Sequence, residues 1–436
     1  MRHRQCTLAQ QSKYESELMF ALCDVTAAYA SAEKIYDPTI RDKPVLVLSN
    51  NDSNVVALCP LAKQLGFKKF VPYFQIADAA KNAGVIVKSS NYELYQDTAN
   101  RLFSTLERFC DNVHEYSIDE AFLSFDTSLK DRDWYLLGHE IRKTVWREVK
   151  IPIGVGFGPT PTLAKAANHA SKKLPGCTGS AIINTYAERK HILTQMSVND
   201  VWGIGSRIAK RLNALNINDA FSLAQQDPKK MRKLFSILVE NTVRELNGEK
   251  RLTWDDVRPN KKEIYSTRSF SERITTPVEL KKALAFHAEI AANKLRKQHS
   301  VAGSITLFAA NSPHDNTHYV KRTSYATFVI PTCDTRDFLN VISDAIPRLF
   351  LPGVKYYKAG LGLLDIRDNN FQQADLFTAQ SNDPKLMDAL DNVNQRFGRD
   401  TLSFAAKGFH RTFDMKRNFL SKRYTTRWTD IPKIKC

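Results

Sequence analysis

The sequence lacks a long hydrophobic run: nowhere does it approach the ~20 uninterrupted apolar positions that a membrane-spanning helix needs. The polar and basic stretch at residues 1–18 has no apolar core, so we expect a flexible leader and not a secretory signal. Acidic residues are also outnumbered, since 46 Asp and Glu face 63 Lys and Arg and leave a formal charge of +17. This excess favours a polyanionic partner, and with no spanning segment we expect nucleic acid and no membrane.

Cysteine is scarce and shows no pairing pattern. The seven cysteines are scattered, and no two of them have Cys-x-x-Cys spacing. An odd number of isolated thiols predicts a reducing, cytoplasmic location without a disulfide framework. His314 and His318 have i,i+4 spacing but lie in a polar loop, so a structural zinc site is not expected. A hydrophobic content of 43% over 436 residues predicts two to four ordinary globular domains.

The stretch Tyr116–Phe122, which reads YSIDEAF, places two adjacent carboxylates, Asp119 and Glu120, between short apolar runs. Successive residues of a strand point to opposite faces, so both acids serve one site only at a turn or bulge. We therefore predict a β-hairpin with Asp119 and Glu120 at its tip, where two hard oxygen ligands suit a divalent cation. A solvated acidic hairpin turn is the alternative.

A further carboxylate, Asp24, follows the apolar run FALC and precedes the helix-forming stretch TAAYASAEKIY. An acid at a strand end, ahead of a helix N-terminus, suits a cation held against a bound phosphate. The alternative is that Asp24 only caps the helix, for which Thr26 is also a candidate. Strands and helices alternate from residue 19 to about 185, which predicts one α/β domain with a small insertion near residues 40–90.

Beyond this domain, the stretch WGIG contains Gly203 and Gly205 and is followed by Arg207 and Lys210. This is the pattern of a helix–hairpin–helix, in which glycines let backbone amides approach a DNA phosphate and basic side chains add charge. An ordinary glycine-containing turn between two helices is the alternative. Helical patterns extend over residues 186–248.

A charged, proline-containing linker at 249–264 leads to residues 265–367, whose patterns predict the order β-α-β-β-α-β of a ferredoxin-like unit. The predicted strands or their ends carry four basic residues, Arg268, Arg273, Lys321 and Arg322. A basic sheet face of this kind suits a duplex backbone, and a merely solvated face is the alternative. Residues 368–436 are first polar and then basic.

Taken together, these motifs resemble the Y-family translesion DNA polymerases, and among them the UmuC-type chains. The shared text includes EYSIDEAF, SSNYELY, KPVLVLSNND, VWGIG and RYTTR and runs from Met19 nearly to the C-terminus. The resemblance implies a right-hand fold of mixed α/β and α+β class: a palm at 19–185 with fingers inserted at about 40–90, a helical thumb at 186–248 and a little finger at 265–367. It also implies error-prone, template-dependent DNA synthesis past damaged bases, in the SOS response, on primer-template DNA with deoxynucleoside triphosphates.

The resemblance assigns the acidic residues. Asp24, Asp119 and Glu120 match the family carboxylates that hold two Mg²⁺ ions, with the Val25 carbonyl as a further ligand. Tyr29 matches the steric-gate aromatic that excludes a ribose 2′-hydroxyl.

Two lysines, Lys63 and Lys172, match residues that contact the incoming triphosphate. The fingers depart from the family pattern, because UmuC-type chains usually carry Arg-Asn-Ala-Glu where residues 58–61 read LCPL. Leucine cannot replace the charge or the hydrogen bonds of that arginine. Ser53 also replaces a family glycine, and Thr26 a family asparagine. These differences concern nucleotide binding and leave the metal site intact.

The stretch FQQADLF contains Gln373, Leu376 and Phe377 and resembles the peptide by which such polymerases dock on the sliding clamp. The resemblance also implies a processed UmuD dimer as a subunit, a RecA filament as activator and an association with the nucleoid. A catalytically weak or inactive homologue that binds DNA and the clamp is an alternative function. A palm-type nucleotide cyclase is a third, but it does not explain the thumb motif, the basic domain or the charge.

Overall fold

The computed structural model describes residues 18–126, 132–253, 260–315, 317–369, 383–398, 400–408, 415–425 and 427–431. The chain divides into two compact units, unit 1 at 1–256 with 418–436, and unit 2 at 257–417. Within the described ranges, no helix has both the length and the apolar content to cross a membrane.

Twelve strands are described, eight of them in unit 1. They are β1 (Leu18–Val25), β2 (Val45–Leu48), β3 (Val55–Leu58), β4 (Ile86–Ser89), β5 (Asn112–Glu115), β6 (Glu120–Asp126), β7 (Ile153–Gly158), β8 (Ser180–Ile182), β9 (Ile264–Ile274), β10 (Ser300–Ala310), β11 (Lys321–Thr332) and β12 (Tyr356–Asp368).

The α-helices of the described ranges cover the faces of these sheets or pack on one another. They are α1 (Ala28–Tyr36), α2 (Pro60–Gln64), α3 (Tyr73–Asn82), α4 (Tyr92–Leu106), α5 (Trp134–Glu148), α6 (Pro161–Lys173), α7 (Tyr186–Thr194), α8 (Ser206–Asn213), α9 (Ala220–Ala224), α10 (Pro228–Leu234), α11 (Ile237–Leu246), α12 (Pro277–Lys297), α13 (Thr335–Leu349) and α14 (Pro384–Phe397).

The main sheet of unit 1 has five strands in the order β5-β6-β1-β7-β8. Its central strand β1 runs antiparallel to both neighbours and is apolar on both faces, because helices cover each side. Phe20 and Leu22 pack with Phe122 on one face, while Ala21 and Cys23 join the core on the other. A polar residue fits only at the end of such a strand, and Asp24 lies there.

The insertion predicted near residues 40–90 is a separate three-stranded sheet in the order β3-β2-β4, flanked by α2 and α3. All four residues of β2 are buried, so this sheet has its own small core. The helical segment from α7 to α11 packs its core against α6, as Leu163, Ala167 and Leu193 share one cluster.

Unit 2 contains a four-stranded antiparallel sheet in the order β11-β10-β12-β9, with α12 and α13 packed against it. The chain order β9-α12-β10-β11-α13-β12 is the predicted β-α-β-β-α-β unit, so this prediction is confirmed.

After unit 2, the chain packs again on unit 1 through residues 418–425, which we call the C-terminal segment. The sequence did not indicate this contact. The backbone N–H of Ser89, at the end of β4, donates a hydrogen bond to the carbonyl of Phe419 at 3.0 Å. The ring of Tyr424 stacks on Tyr36 of α1, with centroids 5.5 Å apart.

The contact of α6 with β7 depends on the small size of Gly156. A Cβ atom there would collide with the backbone of Asn168 and Ala164 on the helix. The buried Asn168 side chain uses this proximity, since its Nδ2 donates to the carbonyls of Leu22 at 3.0 Å and Gly154 at 2.7 Å. The helix is thereby tied to β1 and β7 at once.

Gly156→Ala is therefore expected to destabilise the protein by about 1–3 kcal/mol, because the methyl group overpacks a rigid helix–sheet contact. Urea unfolding followed by circular dichroism measures the loss. Gly205→Ala is the matched control, since its φ of −76° suits alanine and its Cβ would meet open space. Equal unfolding midpoints for the two variants would contradict this account of the packing.

Candidate active site

The two acids Asp24 and Glu120 face each other on adjacent strands. They are direct partners in the antiparallel register of β1 and β6, and side chains opposite one another project to the same face of the sheet. The predicted hairpin is confirmed, since β5 and β6 pair and the N–H groups of Tyr116 and Ser117 donate to the Glu120 carbonyl at 3.1 and 3.0 Å. Only one of the two acids lies at its tip, because Glu120 is the first residue of β6. Asp119 lies in the turn, where its carbonyl accepts from the Val25 N–H at 2.9 Å.

Two lysines of α6 balance this pair of acids. The Lys172 ammonium contacts the Asp24 carboxylate, and Lys165 Nζ lies 2.8 Å from Glu120 Oε2. Burial raises the pKa of Glu120, the Lys165 ammonium opposes that rise, and the neighbouring Asp24 adds to it. The site therefore brings together two partly buried carboxylates that need positive charge beside them.

The third predicted ligand, Asp119, has a different partner. Its Oδ1 accepts a 2.6 Å hydrogen bond from the Ser117 hydroxyl. Among the described residues, no group of three or more His, Cys, Asp or Glu side chains is arranged to hold a metal. The donor set nevertheless fits Mg²⁺, which takes hard oxygen ligands and is commonly bound by one or two carboxylates together with substrate phosphates.

The helix α1 begins without a side-chain cap, so the interpretation of Asp24 as a helix cap is wrong. The cap position is Ala27, which has a left-handed φ of 52°. Tyr29 lies in the first turn of α1, and its ring stacks on Tyr95 with centroids 4.6 Å apart and meets Tyr92 edge-on at 6.0 Å. Burial raises the pKa of Tyr29, and the charges of Tyr92 and Asp119 add to that rise. Tyr29 thus lies within electrostatic reach of the Asp119 carboxylate.

The fingers present Lys63 as an exposed side chain on the short helix α2. Leu58 and Cys59, where the family pattern has Arg-Asn, are almost fully buried, at 1% and 2% exposure. The Cys59 sulfur accepts a hydrogen bond from the Val45 N–H at 3.1 Å. These substitutions therefore extend the core of the small sheet instead of providing a polar group to a ligand.

The predicted helix–hairpin–helix is observed with its glycines exposed. Gly203 has a φ of +85°, which glycine adopts at least cost, and a Cβ at Gly205 would meet open space. Both Arg207 and Lys210 are exposed on α8. Trp202, beside these glycines, stacks on Phe122 of the β5–β6 hairpin with centroids 5.7 Å apart.

The basic residues predicted to bind DNA in unit 2 are only partly available for that role, because several of them have partners within the protein. Arg273 forms an ion pair with Asp315 at 2.9 Å, and Arg268 lies over the Phe286 ring at 5.5 Å. The Arg322 guanidinium donates to a backbone carbonyl. The clamp-binding residues Gln373, Leu376 and Phe377 lie outside the described residues.

Sequence reasoning missed Lys165, although a signal for it exists. It precedes Lys172 by seven residues, so both lysines lie on one face of α6 two turns apart. The Lys165 ammonium also lies 4.8 Å from the centroid of the Tyr116 ring and 5.4 Å from that of Trp202. Such a position lowers the cost of keeping a lysine charged next to the hairpin.

Comparison with known proteins gives matches along nearly the whole chain. Models described as the impB/mucB/samB family, its HHH motif, its C-terminal domain and a domain of unknown function match residues 23–169, 186–217, 261–376 and 384–434. The chain is 41% identical to Protein UmuC of Salmonella typhimurium over 96% of this chain and 100% of that protein. It is 39% identical to Protein SamB of Salmonella typhimurium, again over 96% and 100% of the two chains.

The fold is similar to that of a solved Y-family DNA polymerase chimera, Dbh-Dpo4(243-245)-Dbh, with a TM-score of 0.61 at 19% identity, over 80% of this chain and 100% of that one. The predicted right-hand fold is thereby confirmed, and the 41% identity to Protein UmuC confirms the UmuC-type resemblance. The chain belongs to the impB/mucB/samB family, together with Protein UmuC, and it has the fold of a Y-family DNA polymerase.

Proposed function

We propose that this chain performs translesion synthesis in the SOS response by nucleotidyl transfer at Asp24, Asp119 and Glu120, with primer-template DNA and deoxynucleoside triphosphates as substrates. The observation that carries the proposal is the register of β1 with β6, which sets Asp24 directly opposite Glu120 with a lysine beside each. Opposed carboxylates compensated by cations are the arrangement that a cation-dependent phosphoryl transfer uses.

Two Mg²⁺ ions held by the three carboxylates and the Val25 carbonyl would activate the primer 3′-hydroxyl and stabilise the departing pyrophosphate. The protein's own contribution is charge and position. Lys165 and Lys172 neutralise the carboxylates, and Lys172 is placed to exchange its Asp24 contact for a triphosphate oxygen. Ser117 holds the Asp119 carboxylate in the turn through its hydroxyl.

The remaining site residues bind and select substrate in this proposal. Lys63, exposed on α2, binds the triphosphate from the fingers. Tyr29 presents its ring where a ribose 2′-hydroxyl would collide with it, and Tyr95 supports that ring from behind. The exposed backbone at Gly203 and Gly205 approaches a DNA phosphate. The side chains of Arg207 and Lys210 add positive charge along the same DNA strand. In unit 2, Arg268 and Arg273 contact the DNA duplex.

The proposed protein partners are those that the family resemblance implies, while the basic charge of the chain supports only the binding of DNA. The QxxLF-like stretch with Leu376 and Phe377 binds the sliding clamp by placing two apolar anchors in a pocket. A processed UmuD dimer and a RecA filament complete the active assembly on nucleoid DNA. The burial of Leu58 supports the alternative of a catalytically weak homologue that serves as a DNA- and clamp-binding protein, since the fingers then lack one nucleotide contact.

Asp119→Ala is expected to lower primer extension in the presence of Mg²⁺ by at least ~10²-fold, because it removes one of the three carboxylates proposed to hold the Mg²⁺ ions that stabilise the reacting phosphoryl group. Extension of a labelled primer by wild type and variant measures the loss, and unchanged affinity for primer-template DNA controls for folding. If neither protein incorporates a nucleotide while both bind DNA and clamp, the non-catalytic alternative holds.

Tyr29→Ala is expected to raise ribonucleotide incorporation relative to deoxynucleotide incorporation by about 10-fold or more, because the ring no longer fills the space that the 2′-hydroxyl would occupy. The ratio of kcat/KM values for the two sugars measures it. Tyr92→Ala serves as a comparison, since that ring only touches the edge of Tyr29. Sugar selectivity that stays constant in Tyr29→Ala would show that the gate lies at another residue.

Replacing Leu376 and Phe377 together with alanine is expected to abolish clamp binding, since two apolar anchors of this kind carry most of the binding energy of such a peptide. Binding to immobilised clamp measures the effect, and distributive extension of a short primer is the control that should survive. Clamp affinity equal to that of wild type would move the docking site to another part of the chain.

A further inference from the structure

The C-terminal segment is seated on the three-stranded sheet by backbone hydrogen bonds. The N–H of Asn418 donates to Asp52 Oδ2 at 2.7 Å, and the N–H of Phe419 donates to the Ser89 hydroxyl at 3.0 Å. The Ser89 hydroxyl in turn donates to the other oxygen of Asp52 at 2.5 Å. The Phe419 ring meets Tyr73 edge-on, with centroids 5.7 Å apart. Main-chain contacts of this kind fix where the next residues of the segment lie.

Ser421, two residues further on, enters the interior of unit 1. It is 7% exposed, and its hydroxyl donates to Glu33 Oε1 at 3.1 Å. The Tyr95 hydroxyl donates to the same oxygen at 2.6 Å, and the Tyr95 ring stacks on Tyr29. Three contacts therefore connect the C-terminal segment to the aromatic ring that faces the nucleotide sugar in the proposed function.

The buried carboxyl of Glu33 depends on these two donors for its position. It is 1% exposed, and its second oxygen, Oε2, has no hydrogen-bond partner among the described residues. A buried carboxyl with one oxygen left over is costly, so each hydrogen bond to Oε1 carries weight. If the Ser421 hydroxyl is removed, the Tyr95 hydroxyl is the one remaining donor of this pair to Glu33 Oε1.

The segment also holds the first turn of α4. Asn91 caps this helix by accepting from the Leu94 N–H at 3.4 Å, and its Nδ2 donates to the Ser421 hydroxyl at 3.0 Å. Both ring partners of Tyr29, namely Tyr92 and Tyr95, belong to that first turn. The segment therefore reaches the Tyr29 ring by two routes, through the Glu33 carboxyl and through the helix cap.

We propose that the C-terminal segment is a positioning element for sugar selection, in which Ser421 fixes the Tyr29 ring through Glu33 and Tyr95. The proposal rests on the proposed role of Tyr29 as the steric gate and extends it to a part of the chain that the model of a domain of unknown function matches. Ser421 and Tyr95 are positioning residues, because each acts on the sugar through a chain of contacts that ends at the Tyr29 ring.

The test uses the full-length protein and single-nucleotide insertion opposite an undamaged template base, with a ribonucleoside or deoxynucleoside triphosphate. Ser421→Ala and Tyr95→Phe are each expected to raise the ribonucleotide-to-deoxynucleotide ratio of kcat/KM by about 2- to 10-fold, the range that one lost hydrogen bond produces. Insertion of the deoxynucleotide is expected to stay near wild type, while the unfolding midpoint falls because Glu33 loses one buried hydrogen bond. A purely structural role would lower the midpoint and leave the ratio unchanged.

Thr429→Ala is the matched control, since it removes another hydroxyl near the C-terminus whose hydrogen bond goes to Asp430 and not to the interior. Its ribonucleotide-to-deoxynucleotide ratio of kcat/KM, called the sugar ratio below, is expected to equal that of wild type. The double variant Tyr29→Ala with Ser421→Ala is expected to match Tyr29→Ala alone, because Ser421 acts only through the ring that the first substitution removes.

The outcomes separate the two proposals. If Tyr29→Ala raises the sugar ratio while Ser421→Ala and Tyr95→Phe leave it unchanged, the positioning role is wrong and the gate stands. If Tyr29→Ala itself leaves the ratio unchanged, the gate assignment fails and the positioning role fails with it. Additive effects in the double variant would show that Ser421 acts on selectivity by a route other than Tyr29.

Discussion

The register of β1 against β6 is the constraint on which the active site depends. A shift of one residue would turn Asp24 and Glu120 to opposite faces of the sheet, since side chains alternate along a strand. Burial on both faces of β1 prevents that shift, because its apolar residues would have to exchange two well-packed environments. The geometry of the acids is therefore secured by hydrophobic packing several residues away from them.

The same packing explains how carboxylates are tolerated beside a core. The helix α6 lies against β7 closely enough for Asn168 to bond two strands, and this approach also delivers Lys165 and Lys172 to the acids. Their ammonium groups offset the cost of gathering negative charge in a partly buried place. Packing and electrostatics are thus supplied by one helix.

Much of this could be predicted from the sequence, because the signals were local. The YSIDEAF hairpin, the strand end at Asp24 and the β-α-β-β-α-β order follow from residue periodicity and turn chemistry, and the structure contains all three. Contacts between distant segments gave no such signal: nothing around Ser421 indicates that it meets Glu33. The burial of Leu58 could not be predicted either. The sequence shows that a leucine replaces the arginine of the family pattern, but it does not show that this leucine packs in the core of the small sheet.

The return of the C-terminal segment has a consequence for how the protein is made. Unit 1 is completed by residues 418–425, which are synthesised after all of unit 2. A nascent chain thus emerges with Asp52, Ser89 and Asn91 still lacking their partners from residues 418–421. Domains generally fold as units during synthesis, so unit 1 forms these last contacts only after unit 2 has been synthesised. A truncated product of an interrupted message would lack those contacts altogether.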